Sequence, residues 1–269
     1  MKNKKRKRFY IYNNQYIIVF THKNVNRKIS LYEHINRVHY INIGSLKTKY
    51  QKKYCYICGC ELTRQNRTKD HIPQKCLYEG CSNNKKKNLL TIYCCSECNT
   101  KLSSKEQELR NLLGITAEYG KQKKRIVKSS VKDLTLEKNY NRLFHRDGKI
   151  IGVQFTKEDL NESAIKALKG IILVLYNVLI TSKFNITVYS PNFDQSILNK
   201  MRISPEIILR YEKWYKSGSE RIFRFKITCL DKNLNAVNRS NATIDKIQYI
   251  IAKLIYWEEI MFYVIANKI

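Results

Sequence analysis

Apolar and polar positions alternate near the start of the chain. "RFYIYNNQYIIVFTH" (8–22) predicts two short strands around Asn13 and Asn14. "SLYEHINRVHY" (30–40) has the spacing of a short helix. Further on, "KKKNLLTIYC" (85–94) ends in a strand-like run. "SECNTKLSSKEQELRNLLG" (96–114) then spaces its leucines as a helix does, with Gly114 as a stop signal. Residues 51–114 therefore read as strand, loop, strand, helix. In the second half, "ESAIKALKGIILVLYNVLI" (162–180) repeats apolar residues at 165, 168, 172, 175 and 179, the face of a buried helix. "FNITVYS" (184–190), "RIFRFKITC" (221–229) and "IYWEEIMFYVIA" (255–266) read as strands, with Trp257 and Phe262 as packing residues. Asp147-Gly148 is a turn signal. The pattern is α+β, in four stretches: a basic extension (1–50), a cysteine-rich module (51–114), a charged connector (115–150) and an α+β C-terminal region (151–269).

The chain has 269 residues, of which 43% are hydrophobic, enough for a sizeable core. Charge narrows the choice of partner. With 51 Lys and Arg against 22 Asp and Glu, the formal net charge is +29. A balance this basic points to a polyanion, and nucleic acid is the commonest one. A compositional bias toward lysine accounts for part of the count but not for the shortage of acids. "KKRKR" (4–8) reads as a mobile arm, and His22, His34 and His39 as surface or packing histidines.

The longest uncharged apolar run, "GIILVLYNVLITS" (170–182), is short of the roughly 20 residues that span a bilayer. The basic start is not followed by the apolar core of a signal peptide. A cytoplasmic, reducing setting is the expectation, and there nine cysteines are not a disulfide framework. Eight of them fall between Cys55 and Cys98, with Cys229 apart. Clustering of this kind points to metal.

Two Cys-x-x-Cys pairs, Cys55/Cys58 and Cys95/Cys98, lie about forty residues apart. Each forms a knuckle whose two thiolates face one ion, and two knuckles supply the four sulfurs of a tetrahedral structural Zn²⁺ site. Cys94 competes with Cys95 as ligand, although the spacing favours Cys95. Cys60, Cys76 and Cys81 are spare thiols or substitutes. A metal at these four positions staples the ends of a segment that carries Asp70, His71 and Asn88, and Asn99 directly follows the last ligand.

The residues "CYIC", "TKDHIPQK", "NLL", "CSECN" and "SSKEQE", in that order, resemble the zinc-containing branch of the HNH endonucleases. The likeness is nearest to bacterial members that carry Cys-x-x-Cys, Asp-His-x-Pro-x-Lys, Asn-Leu and Cys-x-x-Cys-Asn. It is strong over roughly 54–110, looser in the C-terminal half and absent from 1–50. Gln74 stands where those members have a second proline. The resemblance implies a zinc-stapled ββα-metal module followed by a separate α+β region, and a metal-dependent endonuclease that hydrolyses phosphodiester bonds, with DNA as the expected substrate. It implies His71 as general base, Asp70 and Asn99 as ligands of a catalytic Mg²⁺ or Mn²⁺, and Asn88 as the residue that orients His71. Asn83 and Asn84 rival Asn88 for that role. Imidazole titrates near neutrality, at about 6.5, and oxygen ligands suit a hard divalent ion. Lys69, Lys75, Lys85, Lys86 and Lys87 are the candidates for gripping backbone phosphates. A homodimer is a candidate assembly, since cutting both strands calls for two sites. The competing reading is a zinc-stabilised nucleic-acid-binding protein without activity.

Overall fold

The computed structural model describes residues 5–12, 15–22, 39–44, 46, 52–79, 81, 88–116, 124–147, 149–192, 204–258 and 260–269. Strands β1 (Lys5–Tyr12) and β2 (Gln15–His22) form the expected hairpin, with Tyr12 opposite Gln15. The strand takes in Lys5 to Arg8, which the sequence reading assigned to an arm. The helix expected over 30–40 lies outside the described residues apart from His39 and Tyr40, and Tyr40 begins β3 (Tyr40–Asn42).

Next come β4 (Arg67–Ile72), β5 (Leu90–Cys95) and helix α1 (Ser96–Thr116). The strands pair antiparallel, so the predicted strand, loop, strand, helix order is present. Gly114 does not stop α1. It is buried against helix α2 (Lys124–Leu134), and a Cβ there would lie 2.1 Å from the Ser130 hydroxyl oxygen. Its missing side chain serves close helix approach rather than termination.

The connector holds α2 and then β6 (Leu143–Arg146). Asp147, at φ +52°, turns the chain into β7 (Lys149–Thr156). Helix α3 (Lys157–Tyr176) follows and ends on Asn177 in the left-handed conformation. That cap removes Leu179 from the helical face predicted for it. After β8 (Phe184–Tyr189) come the short helix α4 (Pro205–Ile208), β9 (Trp214–Lys216), β10 (Phe223–Leu230), β11 (Tyr249–Tyr256) and β12 (Ile260–Lys268). The run "IYWEEIMFYVIA" is thus two strands. Trp257 and Glu258, at φ +53° and +61°, reverse the chain between them. Trp257 and Phe262 are both buried, as expected of packing residues.

Among the described residues three sheets result: β1-β2-β7-β6, β3-β9-β10-β11-β12-β8 and β4-β5. Stretches that read as separate regions share them: β2 pairs with β7, and β3 runs parallel to β9. One continuous apolar cluster runs from Ile43 to Ala266. Helix α3 lies against the inner face of the β4–β5 hairpin, so close at Gly170 that a Cβ there would sit 1.8 Å from Ile72 Cδ1 and 2.7 Å from Ile92 Cδ1. Ser217, which follows β9, ties the hairpin to the large sheet. Its hydroxyl donates to the Ile72 carbonyl and accepts from the Leu90 amide at 2.8 Å, while its carbonyl accepts from the Tyr78 hydroxyl at 2.6 Å. No helix among the described residues is long and apolar enough to cross a membrane.

Candidate metal centre and its neighbourhood

The first knuckle is a tight turn. The Cys55 amide donates to the Cys60 carbonyl and the Gly59 amide to the Cys55 carbonyl, both at 2.8 Å. Gly59 sits at φ +81°, a conformation that suits glycine. The second knuckle joins the end of β5 to the start of α1, where the Cys98 amide donates to Cys95 Sγ at 3.4 Å. The two come together: the Sγ atoms of Cys55, Cys58, Cys95 and Cys98 all lie within 4.8 Å of one another. The Cys58–Cys95 separation is 3.8 Å. Bonds of about 2.3 Å to a tetrahedral ion give a sulfur–sulfur edge of about 3.8 Å, so this donor set can hold such an ion. Burial raises the Cys55 thiol. For Cys58, burial acts upward, but hydrogen bonds from Cys60, Cys55 and Cys98 outweigh it and bring its pKa to about 7. The Lys169 ammonium, from α3, donates to the Ile57 carbonyl at 2.7 Å and adds positive charge beside the sulfurs.

Strand alternation separates Cys94 from Cys95. Leu90, Ile92 and Cys94 face inward, and Cys94 Sγ reaches Asp70 Oδ2 at 3.7 Å and the Thr68 hydroxyl at 3.4 Å. Cys94 is absent from the four-sulfur group. Cys60 neighbours Cys58 and Cys95, and burial together with these sulfurs pushes its thiol up to about 12.

The same alternation decides where Asp70 and His71 go. Asp70 and Ile72 face the core, and Asp70 is 5% exposed. Its carboxylate accepts from the Tyr56 hydroxyl at 2.7 Å, from the His71 amide at 2.7 Å and from the Lys166 ammonium at 2.8 Å. Lys166, from α3, also donates to Glu106 of α1. This cluster of Asp70, Lys166, Glu106 and Tyr56 gathers two carboxylates around one buried cation. Burial acts to lower the Lys166 ammonium, but the two carboxylates outweigh it and raise its pKa. Burial raises Glu106 against the pull of Lys166.

His71 lies on the opposite face of β4, half-buried, with exposed Lys69 two residues before it. Burial lowers its pKa and nearby Lys75, Lys166 and Lys69 add to this, while Asp70 opposes them. Asn99 is half-buried in the first turn of α1, on the helical face that also carries Leu102 and Glu106. Asn88 is exposed at φ +60°, just before β5, and its carbonyl accepts from the Gly218 amide at 3.2 Å. Lys75 is exposed, while Lys85, Lys86 and Lys87, with Asn83 and Asn84, lie outside the described residues.

Sequence reasoning missed Lys166, Glu106 and Tyr56. A lysine inside the apolar run "AIKALKGII" was the available signal, since a charge on a buried helix face needs a partner.

No protein-family model, no curated protein and no solved structure matches this chain.

Proposed function

We propose that the chain is a metal-dependent endonuclease of HNH type that hydrolyses phosphodiester bonds in DNA, with a structural zinc ion on Cys55, Cys58, Cys95 and Cys98. The observation that carries this reading is the four-sulfur cluster closing a two-stranded hairpin and the helix after it, with Asp70-His71 on the first strand and Asn99 in the first helical turn. His71 is the general base. Its lowered pKa keeps the imidazole neutral, and so able to accept a proton from water, at cellular pH. Asp70 and Asn99 would hold a catalytic Mg²⁺ or Mn²⁺, which when bound supplies positive charge for the leaving oxygen. Asn88 would orient His71. The basic surface, with Lys69 and Lys75 exposed beside His71, suits a phosphate backbone.

A second reading, a zinc-stabilised nucleic-acid-binding protein without activity, is favoured by one observation. The Asp70 carboxylate already accepts from Tyr56, His71 and Lys166 and is 5% exposed, so an incoming ion must displace Lys166.

The two are separated by incubating plasmid with the protein and Mg²⁺ or Mn²⁺. Cleavage is expected, with His71→Ala folded, zinc-loaded and slower by about 10²–10⁴. Asp70→Ala and Asn99→Ala should also be slow but partly recover as Mn²⁺ rises, whereas His71→Ala should not. A folded, zinc-loaded His71→Ala protein that cuts at the wild-type rate overturns the assignment. Absence of cleavage in the wild-type protein with either ion favours the binding-only reading.

A further inference from the structure

The outer face of the six-stranded sheet carries a row of side chains unconnected with the cysteine module. The strand registers align Tyr40 with Trp214, Lys226 with Lys253, Lys253 with Tyr263, and Tyr263 with Tyr189. The pairs Arg224–Lys216 and Phe225–Tyr215, extended by one residue, set Trp214 beside Lys226, and the Lys226 ammonium is 5.2 Å from the indole centroid. One row across the sheet therefore reads aromatic, aromatic, cation, cation, aromatic, aromatic. The alternate residues Tyr215 and Phe225 face the core and are buried; within the row, Tyr263 is buried as well.

Half of this row is already covered. Glu206 of α4 accepts from the Lys253 ammonium at 2.5 Å and from the Tyr263 hydroxyl, and Lys226 donates to the Leu209 and Arg210 carbonyls at 2.9 and 3.0 Å. The other half, Tyr40 and Trp214, is partly exposed. At its end an open depression of about 440 Å³ is lined by His39, Ile41, Glu212, Lys213 and Trp214, with Ile41, the partner of Tyr215, on the core-facing side of β3. Trp214 is half-buried and tilted against Tyr40 at 6.3 Å, and the Arg224 guanidinium stands 5.7 Å from its centroid. Tyr211 is 88% exposed nearby in sequence.

We propose that this partly exposed half binds single-stranded nucleic acid, with an unpaired base stacked on Trp214 and its phosphate on Lys213. Three features select that occupant. The exposed part of the indole, beside an open depression and not taken up by Tyr40, Lys226 and Arg224, offers a surface on which any base can stack. Lys213 is exposed beside it, within a chain of net charge +29, and matches a polyanion rather than an apolar peptide, while Arg224 is buried and pairs with Glu258 and Lys226 is held by two carbonyls. Duplex DNA keeps its bases stacked within the helix and cannot offer one to a cavity. Glu212 opposes a phosphate but accepts from base edges that carry N–H donors. The inference does not rest on the hydrolytic reading, because the site shares no residue with the cysteine module.

The test uses the full chain without added Mg²⁺ or Mn²⁺. Labelled single-stranded 12-mers of dC, dT and the corresponding ribonucleotides, and a duplex of the same length, are titrated and followed by fluorescence anisotropy and by tryptophan emission. Trp257 is buried, so a change in emission reports mainly on Trp214. Quenching by a single strand of DNA or RNA, without quenching by duplex, is expected. Trp214→Ala should weaken single-strand affinity by about 5- to 150-fold and leave duplex affinity unchanged. Trp214→Phe should retain most of the binding. If Trp214→Ala does not fold, Trp214→Leu, which keeps the apolar bulk but not the ring, decides in its place. Wild-type single-strand affinity in the folded Ala or Leu variant overturns the proposal, and so does equal loss for duplex and single strand.

Discussion

Replacing Lys166 with Met tests whether the buried network is organised as described. Lys166 is 4% exposed and lies between Asp70 and Glu106, whose side chains are 6% and 18% exposed. Met keeps the stem of the side chain and removes the charge. Two carboxylates then remain inside the fold without a cation, and breaking a buried ion pair from one side costs about 3–5 kcal/mol. The loss depends on pH. Burial already raises Glu106 above its ordinary value even with Lys166 present, and without Lys166 the rise is larger. A carboxyl whose folded pKa lies above its unfolded value stabilises the fold below the unfolded pKa, and that contribution disappears as pH rises through the folded value. Each pKa unit of such a rise is worth about 1.4 kcal/mol. The deficit of Lys166→Met should therefore be near the full 3–5 kcal/mol at pH 8 and smaller by at least about 1 kcal/mol at pH 5. Lys166 itself, with its pKa raised above 10.5, does not titrate in this interval. Urea unfolding at the two pH values measures both numbers. Adding Asp70→Asn and Glu106→Gln to Lys166→Met should recover part of the loss, because the uncompensated charges are gone. A variant within about 0.5 kcal/mol of wild type at pH 8, or a deficit that does not change with pH, would refute this account of the network; surface substitutions usually fall inside that margin.

Two other perturbations probe the cysteine module and its attachment. Cys58→Ser should lose the bound zinc, expected at one ion per chain, and much of the fold, since structural zinc contributes on the order of 10 kcal/mol to folding; metal analysis of purified protein checks it, and unchanged zinc content would contradict the ligand assignment. Gly170→Ala gains roughly 1 kcal/mol in helix propensity but drives a methyl into Ile72 Cδ1 at a cost of about 1–3 kcal/mol. A net drop in the urea midpoint is expected, recovered only in part when Ile72→Val removes the nearer clashing methyl, because Ile92 Cδ1 at 2.7 Å still crowds the new group.

What the sequence made legible was local. Two knuckles at Cys-x-x-Cys spacing, the Asn13-Asn14 hairpin and the apolar face of α3 all declare themselves within twenty residues, because ligand geometry and side-chain periodicity act over that distance. The misreadings have the same root. Gly114 looked like a stop because the partner that explains it, Ser130, belongs to another helix. Trp257-Glu258 carries no glycine or asparagine to announce a turn, so β11 and β12 fused into one strand on paper.

The candidate site divides along the same line. Its residues were readable as types at positions, but their surroundings come from α3, ninety-six residues along the chain. Lys166 illustrates why. On a helix wheel it is a charge on an apolar face, a local conflict that only a distant carboxylate resolves, and such conflicts gather where a fold does something other than pack. Asp70 faces inward and His71 outward by strand alternation alone, so the pair the sequence presents as neighbours is split between a buried, cation-bound carboxylate and a half-exposed imidazole. Chemistry that needs both must act across the strand, with Lys166 yielding its place to any ion that Asp70 is to bind. In the proposed nuclease, Lys166 therefore competes with the catalytic cation for Asp70, which makes divalent-ion affinity, rather than the basicity of His71, the property that this network controls most directly.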